Sequence, residues 1–294
     1  MQVNIRFRMS NFKNILVPFD DNAQSIGALE YAAMFASGIG AKITALHLAD
    51  PKDYHSKEEF QQELTEMIAQ QLRPKLQEIQ QTYGDVRKID LQTRGLEKSI
   101  PQHIVEFSKE NEIDFVVMRS HGLPNTDDWD MHLKSTNAYQ VVLESTSPVF
   151  TFTQIPVKPK MKNILVPLDL SEGSLYKVPF AVSLAQQFDA TLHLVSASEH
   201  KEDQEELQQR LDAVSNELTE KGIKIIKNSL FPGTLPAAIH AYTDKSGIDL
   251  VIIMSRPGFK WSDLWVSPKA KRIISHSKVP VVSIRSNKPL EVDL

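Results

Sequence analysis

The chain has 294 residues, 41% of them apolar and 24% charged, with a formal net charge of -4 and no cysteine. That composition is ordinary for a globular chain of about two domains. It gives no general nucleic-acid footprint, and it rules out disulfide scaffolds, thiol catalysis and thiolate metal sites.

Asn14-Ile15-Leu16-Val17-Pro18-Phe19-Asp20 returns as Asn163-Ile164-Leu165-Val166-Pro167-Leu168-Asp169, with six of the seven residues identical and a Lys before each copy. Each copy reads as a buried strand that stops at Pro, followed by a carboxylate at its carboxyl end. That edge is where open α/β sheets bind ligands.

In the first copy, Asp21 or Asn22 can cap a helix running to about Ser37, stopped by Gly38 and Gly40. Lys42 to Leu48 is a second strand. Residues 57–81 place Phe60, Leu64, Met67, Leu72, Leu76 and Ile79 at helical spacing, and Pro74 should kink or break that helix. Val86 to Gln92 is a third strand of weak pattern, and Gly95 follows in a turn. A helix starts near Ser99 with Pro101 in its first turn. Phe115 to Met118 is a short apolar strand of the central parallel kind. A loop, Arg119 to Ser135, leads to a last helix that Thr136 can cap, and Val149 to Phe152 is the fifth strand.

Thr153 to Met161, with Pro156 and Pro159, reads as a short stiff linker. The second copy then repeats the order. Ser171 caps a helix through Phe188 with Pro179 inside it, and Thr191 to Val195 is a strand. Leu207, Leu211, Val214 and Leu218 mark a helix that Gly222 ends. Lys224 to Ser229 is a strand, Gly233 a turn, Leu235 to Thr243 a helix and Leu250 to Met254 the central strand. Ser267-Pro268 opens the last helix, and Val281 to Ile284 is the fifth strand. Alternating strands and helices imply parallel sheets with right-handed crossovers. The expected organisation is a first α/β domain over 11–152, a linker over 153–161 and a second α/β domain over 162–288. No apolar run approaches the roughly 20 residues that span a bilayer. Residues 1–10 lack an apolar core segment, so a cytoplasmic protein is expected.

These residues resemble the universal stress protein family. The likeness rests on Ile-Leu-Val-Pro-x-Asp, on Leu46 to Leu48 and Leu192 to Leu194, and on Ile113 to Met118 and Ile248 to Met254. It also rests on the closing Ser-Pro-Val and Val-Pro-Val, all in fixed order and twice over. The resemblance implies two Rossmann-like five-stranded domains, of the adenine-nucleotide alpha-hydrolase-like kind, packed as a pseudo-dimer through their fifth strands. It implies further association of two such chains and a role in stress response.

It also implies an adenine-nucleotide site, for ATP or AMP with Mg, at Pro18, Asp20, Leu48, Gly122 and Thr136 in one copy and at Pro167, Asp169, Gly258 and Ser267 in the other. Nucleotide-binding members follow the fourth strand with Gly-x-x-Gly, nine residues, then Gly-Ser or Gly-Thr, a cradle of backbone N–H groups for phosphates. Here Arg119 and Ser255 stand for the first Gly, and the final Gly is missing twice. Twelve and eight residues intervene. Asp127, Asp128 and Asp130 make the first loop acidic, whereas Arg256, Lys260, Lys269, Lys271 and Arg272 make the second basic. The preferred reading is therefore a stress-response protein that binds without turnover through altered nucleotide pockets. A nucleotide sensor or slow ATPase using the second copy is one alternative, and a small-ligand or metal-binding module using the acidic loop of the first copy is another.

Other residues carry two readings each. Asp20 and Asp169 can contact adenosine or its metal ion, or cap the next helix. His47 and His193 fall at matched places and invite a metal. Each sits among apolar residues without nearby ligands, which reads as a satisfied strand histidine. His121, Asp127, Asp128, Asp130 and His132 can hold a divalent cation or form a solvated acidic loop. Trp129, Trp261 and Trp265 can form a ligand or partner surface, or pack their own loops down.

Overall fold

The computed structural model describes residues 12–19, 23–49, 73–83, 89–120, 137–153, 160–169, 172–197, 204–230, 235–255, 273–274 and 277–285, with scattered positions between 56 and 70. The first copy contributes β1 (Asn14–Phe19), α1 (Ala23–Ile39), β2 (Lys42–Ala49), α2 (Arg73–Tyr83), β3 (Ile89–Gly95), α3 (Ile100–Glu110), β4 (Phe115–Arg119), α4 (Asn137–Glu144) and β5 (Val149–Phe152). The second contributes β6 (Asn163–Leu168), a 3-10 helix (Glu172–Lys177), α5 (Val178–Phe188), β7 (Thr191–Ala197), α6 (Gln204–Glu220), β8 (Ile225–Leu230), α7 (Leu235–Ser246), β9 (Leu250–Met254) and β10 (Val281–Ile284).

The strands form one ten-stranded sheet in the order β3-β2-β1-β4-β5-β10-β9-β6-β7-β8. Pairing is parallel within each copy and antiparallel where β5 meets β10, with Phe150 opposite Val282. The fifth-strand seam expected of the pseudo-dimer is therefore present. Each copy also fixes its first strand in the same way. The Asp114 carboxylate accepts from the backbone N–H groups of Lys13 and Asn14 at 2.8 and 3.0 Å. Asp249 does the same for Lys162 and Asn163 at 2.8 and 3.0 Å. The repeated Ile-Asp pair is thus a clamp that sets β1 against β4 and β6 against β9, away from the ligand edge.

One apolar core runs across both copies on one side of the sheet. Phe35 of α1 packs edge-on against Phe188 of α5 at 5.7 Å, and Phe12 meets Phe180 at 5.3 Å. Phe115 bridges to Phe150 at 6.2 Å and to Phe180 at 5.9 Å. Polar contacts also cross the seam. Thr151 donates to the Val281 carbonyl at 3.3 Å, and Gln187 donates to the Phe35 carbonyl at 2.9 Å.

Several sequence expectations shift. Pro18 and Pro167 do not end their strands, since pairing with β2 and β7 continues to Phe19 and Leu168. The third strand, described at Ile89–Gly95, runs three residues past the end expected at Gln92, because register with β2 carries it on while its own side chains are only half-buried. Gly95 is therefore its last residue and not a turn. Pro74, where a break is expected, is the second residue of α2, a place where a missing N–H costs nothing. The expected helix through Phe188 is present with Pro179 inside it, but it changes type just before that residue, from a 3-10 helix to the first turn of α5. Pro179 cannot donate to Leu175 and its ring crowds that carbonyl, so the preceding turns tighten into a 3-10 helix. The cap expected at Thr136 and the helix start expected at Ser267 lie outside the described residues.

Candidate functional sites at the strand ends

The strand order reverses between β1 and β4 and between β6 and β9, and these are the switch points where a crevice opens. β1 is in register with β4 only at Ile15 and Leu16, and β6 with β9 only at Ile164 and Leu165. Beyond those residues the strands part. Because β5 and β10 run antiparallel, the two crevices open on opposite edges of the sheet.

Of the nine expected binding residues, Pro18, Leu48, Pro167 and Asp169 are described. Pro18 lies beside Leu46 on β2 and Pro167 beside Val195 on β7, each one residue before its strand end. Leu48 is half-buried beside Arg94. Asp20, Gly122, Thr136, Gly258 and Ser267 lie outside the described residues, as do His121, Asp127, Asp128, Asp130, His132 and the three tryptophans. Among the described residues, no group of three or more His, Asp or Glu side chains is placed to hold a metal.

In the second copy the half-buried Asp169 is held through its backbone. Its N–H donates to the Ser174 hydroxyl at 3.0 Å, and its carbonyl accepts from Arg210 of α6 at 2.9 Å. Beneath it lies Lys177, only 4% exposed. Its ammonium donates to the Ser174 carbonyl at 3.0 Å and to the Ser174 hydroxyl at 3.2 Å. Burial pushes the Lys177 pKa down to about 8, opposed in part by the charge of Asp169. Desolvation therefore outweighs the attraction. Sequence reading missed Lys177, Ser174 and Arg210. The signal for Lys177 was available, because the repeat places Ala28 at the matching position of the first copy.

Strand pairing corrects two position matches. His47 lies opposite Phe19 at the carboxyl end of β2, whereas His193 lies opposite Leu165 near the amino end of β7. The two Leu-His-Leu stretches are offset by three positions, which sends the histidines to opposite faces of the sheet. Each is nonetheless hydrogen-bonded. His47 Nδ1 reaches the Phe19 carbonyl at 3.2 Å. His193 bridges the Tyr242 hydroxyl at 2.9 Å and Asn163 Oδ1 at 3.3 Å. Burial lowers the His193 pKa, favouring the neutral ring.

The other correction concerns Arg119 and Ser255, which are not equivalent. Arg119 pairs with Phe152 as Met254 pairs with Ile284. The matched residues are Ser120 and Ser255, whose N–H groups donate to the Phe152 and Ile284 carbonyls, each at 2.9 Å.

The universal stress protein family model matches residues 11–152 and again 160–285. The chain belongs to the universal stress protein family. Its fold resembles that of a universal stress protein from Archaeoglobus fulgidus, at 19% identity and TM-score 0.72, covering 93% of this chain and 97% of the other. A universal stress protein from Pseudomonas aeruginosa is similar over 94% of both chains, at 15% identity and TM-score 0.66. The cytoplasmic domain of a prokaryotic cation chloride cotransporter shares the fold at 15% identity and TM-score 0.52, covering 92% of this chain and 94% of that one. A comparison with curated proteins returns no match. Membership fixes the tandem architecture, and the work of each copy has to be argued from its own site.

Proposed function

We propose that this tandem universal stress protein acts in stress response by binding, without turnover, through two strand-end sites that have diverged in chemistry. One observation carries the reading. The copies share strand register, the Asp clamps and the Ser at the end of the fourth strand, yet a buried lysine stands in the second site where the first has Ala28. A shared reaction would hold such a position constant; two binding sites with different ligands need not.

Phosphate release from ATP with magnesium tests the reading. The expected result is a rate equal to the blank. Release that Asp169→Asn or Asp20→Asn slows at least tenfold would replace it with the slow-ATPase reading. Association of two chains in the cytoplasm belongs to the same proposal. Light scattering that gives the mass of one chain at micromolar concentration would remove that part.

A further inference from the structure

The ammonium of Lys177 is fixed at the strand end that the second copy offers to a ligand. β1 and β2 are in register with Asn14 opposite Lys42, and β6 and β7 with Asn163 opposite Thr191, a separation of 28 residues in both copies. No insertion intervenes, so Ala28 and Lys177 occupy one position of the fold. Ala28 is 1% exposed there. The second copy therefore buries three more carbons and a cation where the first buries only a methyl group.

Helical side chains lean toward the amino end of their own helix. That tilt carries the Lys177 ammonium up the 3-10 helix to Ser174, whose hydroxyl also receives the Asp169 N–H. One hydroxyl oxygen thus separates the ammonium from the Asp169 backbone. Arg210 approaches the same residue from α6. The buried stem and the two bonds to Ser174 keep the ammonium from swinging out to solvent.

We propose that Lys177 determines the specificity of the second site as a built-in counter-ion of Asp169, closing the site to a magnesium nucleotide. This rests on the reading of diverged sites above. A carboxylate at a strand end attracts a divalent cation or the N–H donors of a base. With a fixed ammonium one Ser174 hydroxyl away from the Asp169 backbone, an incoming magnesium ion meets positive charge in a setting that screens poorly. The second site then suits ligands that bring no metal, and the first, with Ala28, lacks this obstacle.

The test compares the full-length chain with Lys177→Met, which removes the charge and keeps most of the volume, and with Lys177→Ala, which removes both. Replacing a buried cation by an apolar side chain should leave the chain folded, and circular dichroism melts check that. Calorimetry with ATP is run with magnesium and with excess chelator. Lys177→Met is expected to gain at least tenfold in affinity for the magnesium complex. The gain should vanish with chelator and in the Lys177→Met/Asp169→Asn double variant. A gain in Lys177→Ala alone would assign the closure to volume and overturn the counter-ion. No gain in either variant, or one indifferent to magnesium and Asp169, would also overturn it. Turnover of ATP by the unaltered chain is a separate result and would sink the reading beneath it.

Discussion

A single buried ammonium makes the stability of this chain depend on alkaline pH in a defined direction. The folded Lys177 has a pKa of about 8 against an ordinary value of 10.5. Between those values the unfolded chain binds the extra proton, so stability rises with pH through that window. Below about pH 8 the full penalty applies, roughly 3 kcal/mol on the order-of-magnitude conversion of that difference; above pH 10.5 it is gone. Lys177→Met should therefore be more stable than the parent at pH 7, by somewhat less than that figure because two hydrogen bonds to Ser174 are lost. The advantage should shrink to nothing by pH 10.5, as read from denaturant midpoints of both chains. An advantage that stays constant with pH would show that packing, not charge, separates them. Nothing in the local sequence marks Lys177, since a lysine eight residues after Asp169 looks like one more solvated side chain on a helix start. Its meaning emerges only when the repeats are laid on each other and the position proves to be interior.

At the level of elements, what the sequence announced depended on whether local chemistry or a neighbour sets the boundary. The end of α6 is set locally. Gly222 adopts a φ of +77°, and its N–H reaches the Thr219 carbonyl at 2.9 Å. A Cβ there would meet nothing within 4 Å. Gly222→Ala should thus cost only the left-handed backbone penalty, about 1 kcal/mol, seen as a small drop in the urea midpoint with an unchanged slope. A drop several times larger would point to packing at a place where the structure has space. Gly222 and the Ser99 start of α3 were legible because each carries its own reason. The end of the third strand was set three residues short because the reason for its length lies in β2. The helix around Pro179 was legible but its change of type was not, because a proline reads alike whether the turns before it are α or 3-10. The histidine match failed for a related reason. A three-letter repeat gives no depth along a strand, and only pairing with β1 and β6 shows that His47 is at one end and His193 at the other. Most of the expected phosphate-side residues lie beyond the described elements, so the legible part of each site is its strand end.

Over the whole molecule, the decisive feature is that neither copy owns its core. Phe35 is 2% exposed and touches Phe115 at 5.0 Å and Phe150 at 5.1 Å within its own copy, and Phe188 of the other at 5.7 Å. The β5–β10 seam also closes what would otherwise be an exposed strand edge in each half. The remaining edges are unlike that seam. β8 presents mostly exposed residues, with Lys227 paired to Asp212 at 2.5 Å, and Lys42 and Asp90 form an ion pair at 3.2 Å beside the opposite edge. Charge of this kind discourages further strand addition at the edges of the ten described strands. Two halves that share a core and a sheet should unfold together. Calorimetry of the full chain is expected to show one transition whose van't Hoff and calorimetric enthalpies agree. Phe35→Ala should lower that single transition by about 3–5 kcal/mol, the usual cost of emptying a buried phenylalanine site, without splitting it. Two resolved transitions in the parent chain, or a Phe35→Ala profile in which only the first copy melts early, would mean that the seam joins two independent domains.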